Sequence, residues 1–211
     1  MSQSLASACE SIRENDSLQL LILTANGAVF SVDRIENPAI NSAEQLSTLA
    51  IPVLVALNGD ATGSGLELAL AGDLRVCVPS AKFSFPGLER GALPHNGGTQ
   101  RLPRLIGPAW ARDMLLTGRS VDATEALSIG LVNRVSEDIT ETIAELSAQI
   151  TGGSPIGVRY AKEAVGKGID LTLDQGLRLE ADLNVILQST SDRSEGLRSF
   201  LEKRPPKFID S

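Results

Sequence analysis

Glu67 stands inside the apolar run Leu66-Glu67-Leu68-Ala69-Leu70-Ala71, three residues after Ser64 in the small turn Gly63-Ser64-Gly65. A carboxylate among apolar neighbours is costly to bury unless it is paired, so its presence there points to acid/base work. The turn separates the apolar stretch Ile51–Leu57 from a predicted helix over Leu66–Ala71. Its backbone N–H groups therefore belong to a helix N-terminus, a place that favours a phosphate or a developing oxyanion. A nucleotide P-loop is excluded because no Gly-Lys-Ser/Thr follows, and the dinucleotide fingerprint fails because position 68 is Leu. A plain turn, and a helix-start acid that complements the helix dipole, are the simpler readings of the same residues. His95, the only histidine, lies in Leu93-Pro94-His95-Asn96-Gly97-Gly98, ahead of another helix start. A loop histidine serves as a solvated or structural group as readily as an acid/base.

The elements that must hold these residues follow from periodicity. Residues 4–14 are predicted helical, Leu18–Leu23 is predicted to be a strand buried on both faces, and residues 31–50 read as polar and irregular, with Pro38 as a breaker. Ile51–Leu57 is a second buried strand ending at Asn58-Gly59, and Leu74–Val78 a third ending at Pro79. Strands separated by helices of this length imply parallel pairing with crossovers. From about residue 108 the pattern turns helical. Asp122 is placed to cap the helix at Ala123, and amphipathic stretches run over about 137–151, 155–167, 172–189 and 192–203.

The 211 residues, 42% of them hydrophobic, suffice for one substantial core. A net charge of -7 and 3% aromatic residues argue against a nucleic-acid partner, which needs a clustered positive field and stacking surfaces. Cys9 and Cys77 match no metal or redox spacing, so no metal is expected and both thiols are expected to be reduced. The first residues carry no basic start with an apolar run, and no stretch approaches the roughly 20 apolar residues of a membrane span. A cytoplasmic chain without a membrane partner is the expectation.

Four ordered motifs now add a resemblance. Ile51–Leu70 resembles the strand, turn and helix "NG-x-A-x-GGG-x-E-L" of the enoyl-CoA hydratase/isomerase (crotonase) family, and Phe83–Leu102 resembles its "F-x-x-P-E … G-x-x-P-x-x-GGTQRL" segment. Thr117–Val135 is similar to "TG-x-x-x-x-A-x-E-A-x-x-x-GLV-x-x-V", and Ser191–Phe208 to the terminal "ED-x-x-EG-x-x-AFLEKR-x-P-x-F". The resemblance implies an α/β fold with a crotonase-like ββα spiral core, residues 1–135, and a helical C-terminal trimerisation region, residues 136–211.

It also implies chemistry on an acyl-CoA thioester, coenzyme A entering as part of the substrate and no separate cofactor being needed. Two backbone N–H groups would hold the thioester oxygen as it becomes an enolate. One maps onto Ser64. The other maps onto Val32 in Phe30-Ser31-Val32-Asp33, where the family's following glycine is absent. Glu67 takes the place of the first family glutamate, whereas Gly87 occupies the place of the second. The implied activity is that of an enoyl-CoA hydratase or enoyl-CoA isomerase with a single retained glutamate. The alternatives are another crotonase-type reaction, a decarboxylation or thioester hydrolysis in which His95 takes part, or a catalytically impaired acyl-CoA-binding homologue. Phe200 and Lys203 would meet the adenine and phosphate end of coenzyme A from a neighbouring subunit of a homotrimer or homohexamer. Relative to the family the front is short by about 30 residues, a strand pair whose absence is expected to weaken coenzyme A binding or to bare a sheet edge.

Overall fold

The structure, a computed structural model, describes residues 2–31 and 42–210. It divides into two compact units, Met1–Leu49 with Val53–Glu145, and Ala50–Pro52 with Leu146–Ser211. In the first, the α/β unit, α1 (Ser2–Arg13) leads to β1 (Leu21–Thr24), and α2 (Ser42–Ser47) precedes β2 (Val53–Leu57). Then come β3 (Ala61–Thr62), α3 (Ser64–Leu70), β4 (Leu74–Cys77), β5 (Lys82–Ser84) and a 3-10 turn over Pro86–Arg90. The unit closes with α4 (Gly98–Thr117), β6 (Val121–Asp122), α5 (Ala123–Ser128), β7 (Arg134–Val135) and the first half of α6 (Ile139–Thr151).

Four strands form a wholly parallel sheet in the order β1-β2-β4-β7. A second sheet, β3-β5-β6, pairs its first two strands parallel and its last two antiparallel. Every residue of the central strand β2 is buried, as its run of Val, Leu and Ala requires. The expectation for the first strand is corrected: it begins at Leu21, and Ile22 is 45% exposed. The strand alternates half-buried and exposed residues, so one face lies open, and among the described residues it pairs with β2 alone. The stretch read as irregular contains the short helix α2, whose Ala43 and Leu46 reach the core.

Arg75 fastens the far end of α3. Its guanidinium, almost wholly buried, donates to the carbonyls of Leu131 (2.9 Å) and Gly72 (2.7 Å), just beyond the last turn of that helix. Burial pulls it down to about 10, against the opposing pull of Asp73. Such a buried cation is tolerated because carbonyls satisfy it, and these particular bonds fix where α3 ends. Asp122 caps α5 as expected, accepting from Glu125 N–H at 2.8 Å. α4 is broken at Gly107 (φ 79°), where Pro108 follows and supplies no N–H. Both cysteines are free and buried, and burial pushes the Cys77 thiol up to about 11, which removes it as a thiolate nucleophile.

The helical unit holds the second half of α6 with α7 (Pro155–Gly168), α8 (Leu173–Gln188) and α9 (Ser191–Glu202). Side-chain caps from Ser154, Thr172 and Thr190 start the last three, with a full capping box at α8. Asp192 is buried and ties down the chain end, accepting from Ser154 Oγ (3.0 Å) and Ile209 N–H (2.9 Å).

Candidate active site

The site is assembled at the start of α3. Gly63 caps the helix at φ 52°, ψ -122°, a conformation open to glycine alone, and the cap has no side-chain hydrogen bond. Its N–H donates to Ser84 O on β5 (3.0 Å), which anchors the turn to the second sheet. On the other side Ser31 bridges to Ala61, and Thr62 N–H donates to Ser31 O at 3.1 Å. A Cβ added to Gly65 would fall 2.2 Å from Ser31 Cβ, so the Ser31 side chain rides directly on the first turn of α3. Ser64 opens that turn, half-buried. Val32, the other implied N–H donor, lies outside the described residues.

Glu67, one turn into α3, is only 1% exposed. Its Oε1 accepts two backbone N–H groups from the head of α4, Asn96 at 2.8 Å and Gly98 at 2.7 Å. Charge-assisted bonds of this kind contribute about 1.5–3 kcal/mol each, and they are aimed along a helix N-terminus that favours an anion. This is how the buried carboxylate is satisfied. Among the described residues every hydrogen bond to Glu67 falls on Oε1 and none on Oε2. One oxygen is thus the anchor, held by two backbone amides at the head of α4. Gly98 is needed for the approach, because a Cβ there would stand 3.0 Å from Glu67 Oε1 and 3.0 Å from Pro94 Cβ.

The second carboxylate position is closed. Gly87 is the second residue of the 3-10 turn, its carbonyl accepts from Ala92 N–H (2.9 Å), and a Cβ at Gly87 would lie 2.7 Å from Ala92 O. No side chain fits there without moving the loop. Glu89 is exposed and stands near Gly118. His95 is exposed too, and its Nε2 lies 3.4 Å from the Asn96 carboxamide nitrogen. Asn96 itself is 4% exposed, and its Oδ1 has no hydrogen-bond partner among the described residues.

The structure therefore brings Ser64, Glu67 and the His95–Gly98 loop together within the α/β unit, and the other two predicted residues belong to the helical unit. Phe200 is 81% exposed on α9, and Lys203 ends that helix in a left-handed conformation (φ 52°), both within the helical unit. Sequence reasoning missed Asn96 and Arg101. Arg101 was visible as the arginine of the Gly-Gly-Thr-Gln-Arg motif, but nothing in its spacing announced a partner. Among the described residues no cluster of His, Cys, Asp and Glu could hold a metal ion.

Over residues 1–211 the chain matches the family model described as enoyl-CoA hydratase/isomerase. It belongs to that family. It is 35% identical to a probable mitochondrial enoyl-CoA hydratase 2 of Arabidopsis thaliana, over 99% of this chain and 75% of that protein. It is 34% identical to a crotonyl-CoA hydratase of Syntrophomonas wolfei, over 96% and 85% of the two chains. The crystal structure of an enoyl-CoA hydratase from Bacillus anthracis is similar at a TM-score of 0.96 and 34% identity, covering all of this chain and 88% of that one. The crotonase fold and membership among the enzymes of this family follow from these likenesses.

Proposed function

We propose that the chain acts on acyl-CoA thioesters and moves a proton beside the thioester carbonyl, with Glu67 as the only carboxylate that does so. The observation that carries the reading is the division of labour within Glu67, Oε1 held by two N–H groups and Oε2 without a bond among the described residues. The thioester oxygen would be held by the N–H of Ser64 and, by family likeness, of Val32, so that charge arriving on it is stabilised. Isomerisation of a 3-enoyl thioester asks for one base only. Glu67 Oε2 takes a proton from C2, the electron pair moves into the dienolate, and the same proton returns to C4 to give the conjugated 2-enoyl thioester.

Hydration is the second reading, favoured by Asn96 Oδ1, a buried acceptor that a water molecule would satisfy, with His95 beside it. In it Glu67 and the Asn96–His95 pair would hold the water between them. The apolar residues exposed on the helical unit, Val165 (75%), Leu173 (77%), Val185 (67%) and Leu201 (78%), support a homotrimer or homohexamer. Phe200 and Lys203 would then serve a neighbouring subunit's coenzyme A. No helix among the described residues is long and apolar enough to cross a membrane, in keeping with a cytoplasmic enzyme.

The test is turnover of 3-enoyl-CoA and of crotonyl-CoA, followed by absorbance of the conjugated thioester. The expected result is conversion of 3-enoyl-CoA, with kcat reduced about 10³-fold in Glu67→Gln. Faster loss of crotonyl-CoA than gain from 3-enoyl-CoA would select hydration. No change with either thioester at high enzyme concentration would sink both.

A further inference from the structure

Arg101 sits in the first turn of α4, its N–H bonded to Gly97 O at 2.8 Å. Its guanidinium spans two elements. Nη1 donates to the Asn96 carbonyl at 2.7 Å, and Nη2 donates to Ser47 Oγ at the end of α2, 3.1 Å away. The same group rests on the bare backbone of Gly97, where a Cβ would fall 2.2 Å from Nη1. Desolvation pulls this guanidinium below its ordinary range, while the negative charges of Glu67 and Glu44 act the other way. Asn96 is consequently held on both sides: its N–H goes to Glu67 Oε1, and its C=O receives Arg101.

We propose that Arg101 is the positioning residue of this site, fixing the peptide groups of Asn96 and Gly98 that anchor Glu67 and tying them to α2. The inference rests on Glu67 as the proton carrier, because only then does the aim of Oε2 depend on how firmly Oε1 is held. Geometry makes arginine the residue for this work. Its planar fork meets the Asn96 carbonyl and the Ser47 hydroxyl at once, whereas a lysine ammonium is a single point that reaches one of them well. A misplacement of about 1 Å at a proton-transfer oxygen costs on the order of 10²-fold in rate, so a clamp remote from substrate has kinetic weight.

Arg101→Lys, Arg101→Met and Ser47→Ala test the clamp, read by amide hydrogen exchange in the folded full chain and by kinetics on 3-enoyl-CoA. In Arg101→Met the Asn96 and Gly98 amides should exchange at least about tenfold faster while those of Val55 and Val76 keep their protection. There kcat should fall about 10- to 100-fold with KM changed less than about threefold, since the loss concerns the transition state rather than binding. Arg101→Lys should lie between this variant and the unaltered chain, and Ser47→Ala should lose less than either. Unchanged exchange at Asn96 and Gly98, or loss of protection spread equally to Val55 and Val76, overturns the proposal. Should Arg101→Met not fold, the same readouts in Arg101→Lys and Ser47→Ala decide the matter. If the unaltered chain turns over no acyl-CoA and exchange still responds as described, the functional reading falls and the clamp stands.

Discussion

The two units differ in how deeply they bury their apolar residues. In the α/β unit Val53, Leu54, Val55, Leu57 and Phe83 are fully buried, and even the buried polar groups Glu67 and Arg75 are met by backbone partners. In the helical unit Val165, Leu173, Val185, Phe200 and Leu201 all stand mostly in the open. The α/β unit therefore holds the fully buried apolar side chains of the core. The helical unit has capped helices that leave these apolar side chains open, and the proposed homotrimer or homohexamer would cover them.

Paired substitutions would break that contrast if it is wrong. Phe83→Ala should destabilise the α/β unit by about 3–5 kcal/mol, the sum of lost transfer energy and a cavity. Val185→Asp should change the unfolding free energy of the separated subunit by less than about 0.5 kcal/mol, as an exposed helix position does, yet shift the assembly to a smaller species. Chemical denaturation and sedimentation on the same samples measure both. An assembly size untouched by Val185→Asp would remove α8 from any interface, and a Phe83→Ala loss below about 1 kcal/mol would show a looser core than the burial implies.

The smallest expected effect concerns charge on the helical unit. The Glu195 carboxylate accepts both Arg204 guanidinium nitrogens (2.6 and 3.0 Å) and Lys207 N–H (2.8 Å). Arg204 first, and then the Lys207 amide, hold this carboxyl down to about 2 from an ordinary 4.5. A carboxyl depressed in the folded state adds stability at pH above its ordinary value and loses it as pH falls toward the depressed one. The contribution should be present at pH 6 and fade between about 4.5 and about 2. Arg204→Gln should flatten the stability change across that window, by a small amount because the pair lies at the surface. An identical pH dependence in the variant would show that the pair contributes nothing measurable.

Strands and helices were legible where periodicity and length agree, as at β2, α3 and the capped helices α5 to α9. They were less legible where burial depends on neighbours. The run Leu18–Leu23 has the composition of an interior strand, yet among the described residues β1 pairs with β2 alone, because nothing local encodes which strands flank it. Glu67 stood out as a carboxylate in an apolar run, but the groups that satisfy it are backbone amides 29 and 31 residues away. Amides belong to every residue and leave no mark in a sequence. Gly87 was legible as a missing glutamate, while the closure of that position by Ala92 O became visible only with the loop folded.

Sequence alone determined which side chains are on hand: one carboxylate beside a glycine-rich turn, one histidine, no second glutamate at residue 87, and the motifs that mark the family. Such facts are a matter of residue type and order, which folding leaves unchanged. The tertiary structure decided which of Glu67's oxygens is held, that Asn96 is buried with an acceptor unmet among the described residues, and that Arg101 bridges the loop to α2. Hydrogen bonds form at about 3 Å between groups that the chain separates by dozens of residues, so only the folded backbone can bring them together.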